Sequence, residues 1–372
     1  MKILFTCGGT AGHINPALAV AGLIRERHPD AKILFVGADG GMETKLVPRE
    51  GYPIRTVSIT NFQRKLNASG VRHNLKTLLN LRTSGDQAKQ ILDEFQPDAV
   101  IGTGGYASYP VVRQAAARGI PTAIHESNAT PGLTTKTLAK YADRVMVGFE
   151  ESREYYPKPD RVVVTGTPVR GDFFRKTHEE ARRSLGLDER PLVLSYWGSL
   201  GAREMNKKIA EFIRLECITE PFNHIHATGK EGYEWMPGYL EELGVHLSRH
   251  LCVELREYIY DMATVMQAAD LVICRGGAST ISEITALQKP SIIVPSPNVT
   301  DNHQEKNARV LEARGAAKVL LESECDGRAL FETAQEILAD GAKREEMKSQ
   351  LAKLAIPDSS ERIYRTILEI LR

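Results

Sequence analysis

Charge of one sign is what this chain most clearly lacks. Lys plus Arg number 48 against 47 Asp plus Glu, a net of +1, so no global field argues for nucleic acid as a partner. Cysteine is sparse: Cys7, Cys217, Cys252, Cys274 and Cys325 show no CxxC or other metal spacing. An odd, scattered set excludes a disulfide framework and fits a reducing compartment. No apolar run approaches the roughly 18 residues that cross a bilayer. Met1 leads straight into the strand-like Lys2-Ile3-Leu4-Phe5, with no signal peptide ahead of it. A cytoplasmic protein, at most lying on a membrane surface, is expected. DxD, HExxH and clustered carboxylates are also missing, so no protein-held metal and no cofactor is expected.

What is present is an ordinary globular composition, 42% hydrophobic and 26% charged over 372 residues, a length that favours two domains. Short apolar runs alternate with amphipathic stretches. KILFTCGG, AKILFVGA, DAVIGTGG, PTAIHES and DRVMVGF are buried-strand patterns in the first half. PLVLSYWG, NHIHATG, HLCVELR, DLVICRGG and PSIIVPSP are their counterparts in the second. Continuous apolar strands between helical patterns predict an α/β fold with a doubly wound parallel sheet in each half. The halves also echo each other, DAVIGTGGYAS leading through a helix to GIPTAIHESN as DLVICRGGAST leads to KPSIIVPSPN. Any βαβ unit shares some of that pattern. The polarity change near Thr165-Gly166-Thr167-Pro168 places the linker there, giving domains 1–165 and 166–358. Residues 359–372 form an amphipathic helix with Ile363, Ile367 and Ile370 on one stripe.

Glycine loops carry the chemistry. CGGTAGH at residues 7–13 follows a strand and opens a helix, so Gly8, Gly9 and Gly12 permit a tight turn whose amides suit an anion. The spacing is not G-x-G-x-x-G, and no Walker lysine follows. Trp197 to Gly201 forms a second such loop, with a hydroxyl at Ser199. CRGGASTISE supplies Gly276, Gly277, Ser279, Thr280 and Ser282, then Glu283 about a turn into the helix. Loop amides there can hold a diphosphate, and a carboxylate can accept from both ribose hydroxyls. The plainer alternative is a helix-terminus charge. Asp301-Asn302-His303-Gln304-Glu305 follows the PSIIVPSP strand, where open α/β sheets bind ligands.

Two residues compete for the role of base. His13 sits beside the first glycine loop, and Glu126 ends a strand in HESN. His224 and His226 alternate on a strand and share a face; without a third ligand they are expected only to pack. Leaving-group charge then falls to loop amides and Arg170.

The motifs GGTAGHINPALA, GTGGYASYP, HESNATPGLTTK, GTPVR, GSLGA, EYIYDMA, CRGGASTISE and DNHQEKNA together resemble the MurG family. These are the UDP-N-acetylglucosamine–N-acetylmuramyl-(pentapeptide) pyrophosphoryl-undecaprenol N-acetylglucosamine transferases of bacterial peptidoglycan synthesis. The resemblance spans nearly the whole chain in order. It implies a GT-B fold, with two Rossmann-like domains facing across a cleft and the terminal helix crossing back to the first. The implied reaction is inverting transfer of N-acetylglucosamine (GlcNAc) from UDP-GlcNAc to the 4-hydroxyl of a polyprenyl-linked muramyl-pentapeptide lipid.

The same resemblance implies donor contacts from Thr10, Ala11, Gly12, Asn128, Arg170 and Ser199. It puts the uracil at Ile259, the phosphates at Ala278, Ser279, Thr280, Ile281 and Ser282, the ribose at Glu283 and the sugar at Gln304. Gly104, Gly105 and Tyr106 face the acceptor with His13 and Glu126. Ala11 stands where a glycine is usual, and His303 where some members carry a second glutamine. The acceptor implies a peripheral site on the cytoplasmic face of the membrane. Residues 70–82, GVRHNLKTLLNLR, offer an apolar stripe of Val71, Leu75, Leu78 and Leu79 beside Arg72 and Lys76, with Arg64 and Lys65 upstream. That combination suits an anionic surface, although such leucines also pack on sheets. A related transferase with another acceptor, a UDP-sugar epimerase and a non-catalytic nucleotide-binding subunit remain as alternatives.

Overall fold

The computed structural model describes residues 1–59, 68–198 and 201–371, with side chains described outside 68–81. The chain divides into two compact units, Met1–Arg170 with Ile356–Arg372, and Gly171–Ala355.

In the first unit a seven-stranded sheet has the order β3-β2-β1-β4-β5-β6-β7. Its strands are β1 (Lys2–Thr6), β2 (Lys32–Ala38), β3 (Ile54–Val57), β4 (Ala99–Gly102), β5 (Thr122–Glu126), β6 (Arg144–Val147) and β7 (Val162–Val164). All neighbours pair in parallel. Helices α1 (Ala11–Arg27), α2 (Glu43–Arg49), α3 (Ala68–Phe95), α4 (Ser108–Ala117) and α5 (Leu133–Leu138) connect them. Ile3, Phe5, Phe35 and Ile101 bury one face of the sheet against α1, while Leu4, Val36, Val100 and Ile124 bury the other against α3 and α4. Apolar side chains on both faces explain why these strands are continuous hydrophobic runs.

The second unit repeats the winding with the order β10-β9-β8-β11-β12-β13. Its strands are β8 (Leu192–Tyr196), β9 (Asn223–Ala227), β10 (Val253–Arg256), β11 (Leu271–Cys274), β12 (Ser291–Ile293) and β13 (Lys318–Val319). The helices are α6 (His178–Ser184), α7 (Arg203–Glu216), α8 (Lys230–Glu242), α9 (Met262–Ala268), α10 (Ala278–Ala286), α11 (His303–Ala313), α12 (Gly327–Ala339) and α13 (Gly341–Leu354). The echo between DAVIGTGG and DLVICRGG is topological: β4 and β11 each pair with the first strand of their sheet, across the point where the strand order reverses. That reversal opens a crevice at the strands' carboxyl ends.

The last helix, α14 (Ser359–Ile370), belongs to the first unit and packs on α1. Ile363 and Ile367 are buried there and Ile370 is partly so. The Tyr364 hydroxyl lies 2.7 Å from His28 Nε2, and Arg27 pairs with Glu361 at 2.7 Å. The turn at residues 165–168 lies inside the first unit and is not the linker. Gly166 adopts φ +71°, and a Cβ there would meet Ile356 Cβ at 2.8 Å. The unit boundary follows Arg170. No described helix is long and apolar enough to cross a membrane.

Candidate active site

In the first unit the chain leaves β1 through Cys7, Gly8, Gly9 and Thr10 and enters α1. β4 runs beside β1, with Thr6 opposite Gly102, so the loop after β4 meets the loop after β1. The contact is close because glycines make it. Gly104 and Gly105 hold φ +106° and +83°; a Cβ on Gly105 would stand 2.2 Å from the Gly8 carbonyl oxygen, and one on Gly104 2.5 Å from His13 Cδ2. The Thr103 hydroxyl donates to the His13 carbonyl at 2.7 Å. The two loops therefore form one body that seats the His13 ring.

His13 is held in a defined tautomer. Nδ1 lies 2.9 Å from the Gly8 carbonyl, which can only accept, so Nδ1 carries a proton and Nε2 is the nitrogen left to accept one. The Thr10 hydroxyl approaches the same Nδ1 at 3.3 Å. No acidic residue and no side-chain cap occupies the first turn of α1, whose amides at Thr10, Ala11 and Gly12 remain available to an anion. Tyr106 is half-buried beside Gly9, and desolvation with the nearby Glu43 raises its phenol pKa.

Glu126 is placed differently. Its carboxylate is buried, Oε1 accepting from the Asn128 amide at 3.0 Å and side chain at 2.9 Å, and Oε2 accepting from the Gly132 amide at 3.0 Å. Ser152 braces the same loop by donating to the Asn128 and Ala129 carbonyls. The carboxylate is thus committed to closing its own loop, and Asn128 is tied into it. Next to it, buried His125 donates Nε2–H to the Gly166 carbonyl at 2.9 Å, and burial lowers its pKa.

Sequence reasoning missed Glu43, a fully buried carboxylate behind the first glycine loop. It accepts from the Ala38 amide at 2.8 Å and the Gly9 amide at 3.2 Å. A Cβ on Gly8, Gly37 or Gly41 would meet its side chain at 2.6, 2.3 or 2.5 Å. The usable signal was Gly37, a glycine inside a buried strand, which marks a close approach.

In the second unit, the predicted donor contacts fall in the segments after β8, β10, β11 and β12. Gly276 abuts Gln304, a Cβ there falling 2.3 Å from the Gln304 carbonyl, and Asn307 donates to the Gly276 carbonyl at 3.1 Å. CRGGAST and DNHQE therefore sit side by side. Gly277 begins α10, whose first turn has no acid and no side-chain cap. Among the described residues Ser279 Oγ is buried without a partner, which fits a turn built for an anion.

Gln304 spends its oxygen on the Ser296 amide at 2.9 Å, leaving its NH2 group to offer. Thr280 and Glu283 neighbour the buried Tyr196 phenol. Ile281 and Ile259 bury their side chains in the core, so only their main chains can meet a ligand, and Ser282 donates back to the Ala278 carbonyl at 2.9 Å. Arg170 is exposed at the end of the first unit. Ser199 lies outside the described residues, as do the side chains of residues 70–81. Among the described residues no group of three His, Cys, Asp or Glu is placed to hold a metal ion.

Comparison with known proteins decides the family. The glycosyltransferase family 28 N-terminal domain matches residues 3–147, and the family 28 C-terminal domain matches residues 193–363. The chain belongs to glycosyltransferase family 28. This family 28 chain is similar end to end to proteins named UDP-N-acetylglucosamine–N-acetylmuramyl-(pentapeptide) pyrophosphoryl-undecaprenol N-acetylglucosamine transferase. The one from Acetivibrio thermocellus is 42% identical over all of this chain and 99% of its own length. That from Listeria monocytogenes is 40% identical over the full length of both. The crystal structure of Acinetobacter baumannii MurG superposes with a TM-score of 0.78 at 26% identity over 99% of each chain. A UDP-GlcNAc 2-epimerase from Neisseria meningitidis shares the fold, with a TM-score of 0.65 at 16% identity over 99% of this chain and all of that one. The family 28 enzyme is therefore a GT-B glycosyltransferase, an α/β protein of two Rossmann-like units.

Proposed function

We propose that this chain transfers GlcNAc from UDP-GlcNAc to the 4-hydroxyl of a polyprenyl-pyrophosphoryl muramyl-pentapeptide lipid, with inversion. Full-length identity of 42% to a transferase of that name carries the reading of substrate. His13 supports the chemistry. Its Nδ1–H is anchored on the Gly8 carbonyl, so Nε2 takes the proton from the acceptor hydroxyl as that oxygen attacks the anomeric carbon and the bond to UDP breaks. Glu126, which accepts three hydrogen bonds from its loop, holds the Asn128 segment in place. The departing diphosphate is met by the amides opening α10 and by Arg170, the ribose by Glu283 and the sugar by the Gln304 NH2 group. The first unit serves the acceptor and a peripheral position on the cytoplasmic face of the membrane, and the second serves the donor.

Incubation with labelled UDP-GlcNAc and a short-chain muramyl lipid tests this. Label should move to the lipid with UDP released, and should still do so after thorough chelation. Free epimer formed without acceptor would favour the epimerase whose fold this chain shares. UDP binding without turnover would reduce the protein to a binding subunit.

A further inference from the structure

A line of buried polar groups runs beneath α7 in the second unit, where an apolar seam would be expected. Glu216, His224, Ser195, His226, Asn206 and Thr228 are all essentially inaccessible. Glu216 Oε2 lies 2.9 Å from His224 Nδ1; His224 Nε2 lies 2.7 Å from Ser195 Oγ; Ser195 Oγ lies 2.7 Å from His226 Nδ1. His226 Nε2 lies 3.2 Å from Asn206 Oδ1, and Asn206 Nδ2 donates to the Thr228 carbonyl at 2.8 Å. The line starts at the last residue of α7 and ends at its first turn. The two histidines, expected only to pack, are links in it.

Its last member sets the direction of the protons as far as His224 Nε2. The Thr228 carbonyl can only accept, so Asn206 turns its NH2 there and its oxygen toward His226. His226 must then donate from Nε2 and accept at Nδ1. Its Nδ1 also lies 3.2 Å from the Ser195 carbonyl, but a proton on Nδ1 would leave Nε2 and Asn206 Oδ1 as two acceptors face to face. Ser195 spends its one proton on His226 and accepts from His224 Nε2–H. His224 Nδ1 is left as an acceptor, and Glu216 supplies the proton as a neutral carboxylic acid. Burial favours that state, raising the Glu216 pKa well above the ordinary carboxylate range and lowering both imidazoles to about 3. A charge at this carboxyl would also oppose the C-terminal end of the α7 dipole.

The output of the line is a position. Thr228 opens the loop after β9, and its carbonyl abuts Gly201 in the β8 loop, where a Cβ would come within 2.3 Å. Gly201 holds φ +71° and Gly229 φ +74°, and the two meet where the Thr228 carbonyl fixes the placement of Gly201 against the β9 loop. Asn206 holds that carbonyl, and its amide also fills the space a Cβ on Gly232 of α8 would take, 2.3 Å away.

We propose that Asn206 and His226 are positioning residues for donor binding, fixing the β9 loop against the β8 loop through the Thr228 carbonyl without touching the nucleotide. This rests on the reading that the second unit binds UDP-GlcNAc. Asn206→Leu and His226→Leu should raise the UDP Kd about tenfold or more, and raise the donor KM while kcat at saturating donor stays within about twofold. His226→Gln, which restores a donor toward Asn206, should bind UDP within about threefold of wild type. Nitrogen-15 spectra should show both histidines neutral and protonated at Nε2. His224→Leu, at the far end of the line, serves as the control for lost stability.

If the wild type binds no UDP, the reading of the unit fails and the inference falls with it. If the wild type binds and the Asn206 and His226 leucine variants bind equally well, the inference alone is wrong. Affinity that merely tracks melting temperature across all variants, His224→Leu included, or an Nδ1-protonated His226, also overturns it.

Discussion

His13 and Glu126 show how little a residue's type says about its role. Both are titratable groups in the first unit, His13 in the first turn of α1 and Glu126 at the end of β5. One ring nitrogen of His13 is anchored on a carbonyl, which leaves the other for proton transfer, whereas all of Glu126's described bonds go to its own loop. His13→Ala should therefore lower kcat by about 10²–10⁴-fold, the usual contribution of a general base, with UDP affinity nearly unchanged. Glu126→Gln should instead lower thermal stability, because one loop donor loses its acceptor. A Glu126→Gln enzyme that kept its melting temperature but lost turnover would return the base to Glu126. For Glu283 the expectation is a donor effect: Glu283→Ala should cost about 1.5–3 kcal/mol in donor binding, the value of a charge-assisted hydrogen bond. Undiminished UDP affinity in that variant would remove Glu283 from the ribose.

At the scale of elements, the strands missed by pattern are instructive. β3, β7 and β13 are all sheet edges. Each has a single neighbour; β3 and β13 expose Arg55 and Lys318, and β7 is apolar but only three residues long, Val162–Val164. The interior strands are largely buried on both faces and mostly apolar, with polar exceptions such as Ser195 in β8 and Asn223, His224 and His226 in β9, and were legible from sequence. So was α14, whose stripe of Ile363 and Ile367 enters the core of the first unit. Ile367→Ala should destabilise that unit by about 2–5 kcal/mol and leave the unfolding of the second unit unchanged. Urea unfolding followed by hydrogen exchange in each unit would distinguish them, and equal loss in both would contradict the assignment.

Across the whole molecule, two conditions should reveal the architecture. The first is pH. Glu216 has a raised folded pKa, so its contribution is fully present below the ordinary carboxylate value and is lost as pH rises toward the folded one. His224 and His226, lowered to about 3, contribute stability above the ordinary imidazole range that is lost as pH falls. Glu220, His250, Cys217 and Cys252 also act on or feel Glu216 and add a background.

The opposing slopes cross where the unfolded chain holds one proton on the two imidazoles, so stability of the second unit should peak near about pH 6.5. Glu216→Gln, which keeps a donor for His224, should flatten the alkaline limb in denaturant titrations. An unchanged limb would rule out the neutral acid. The second condition is a membrane surface. If the stripe at residues 70–82 meets anionic lipid, the protein should pellet with anionic vesicles at low salt and not with neutral ones. Changing Arg72 and Lys76 to Glu should reduce pelleting without altering UDP binding. Equal pelleting would put the membrane face elsewhere.

Sequence alone determined the interior strands, most of the helices and the glycine loops between them. Strand and helix follow from local hydrophobic periodicity, and a glycine run between them needs no distant partner to be a turn. The doubly wound class then follows, because strands apolar on both faces must be covered on both. What lay beyond its reach was the direction of individual polar side chains. Nothing local says that Glu43 turns inward behind Gly8, Gly37 and Gly41, that Glu126 folds onto its own loop, or that Ser195 stands between His224 and His226. Glu43 reaches Gly9, and Ser195 reaches His224 and His226, across segments far apart in the chain, while Glu126 takes the amides that its own folded loop brings round to it. A buried polar group must take whichever partner the packed fold brings within reach, and only the tertiary structure decides which one that is.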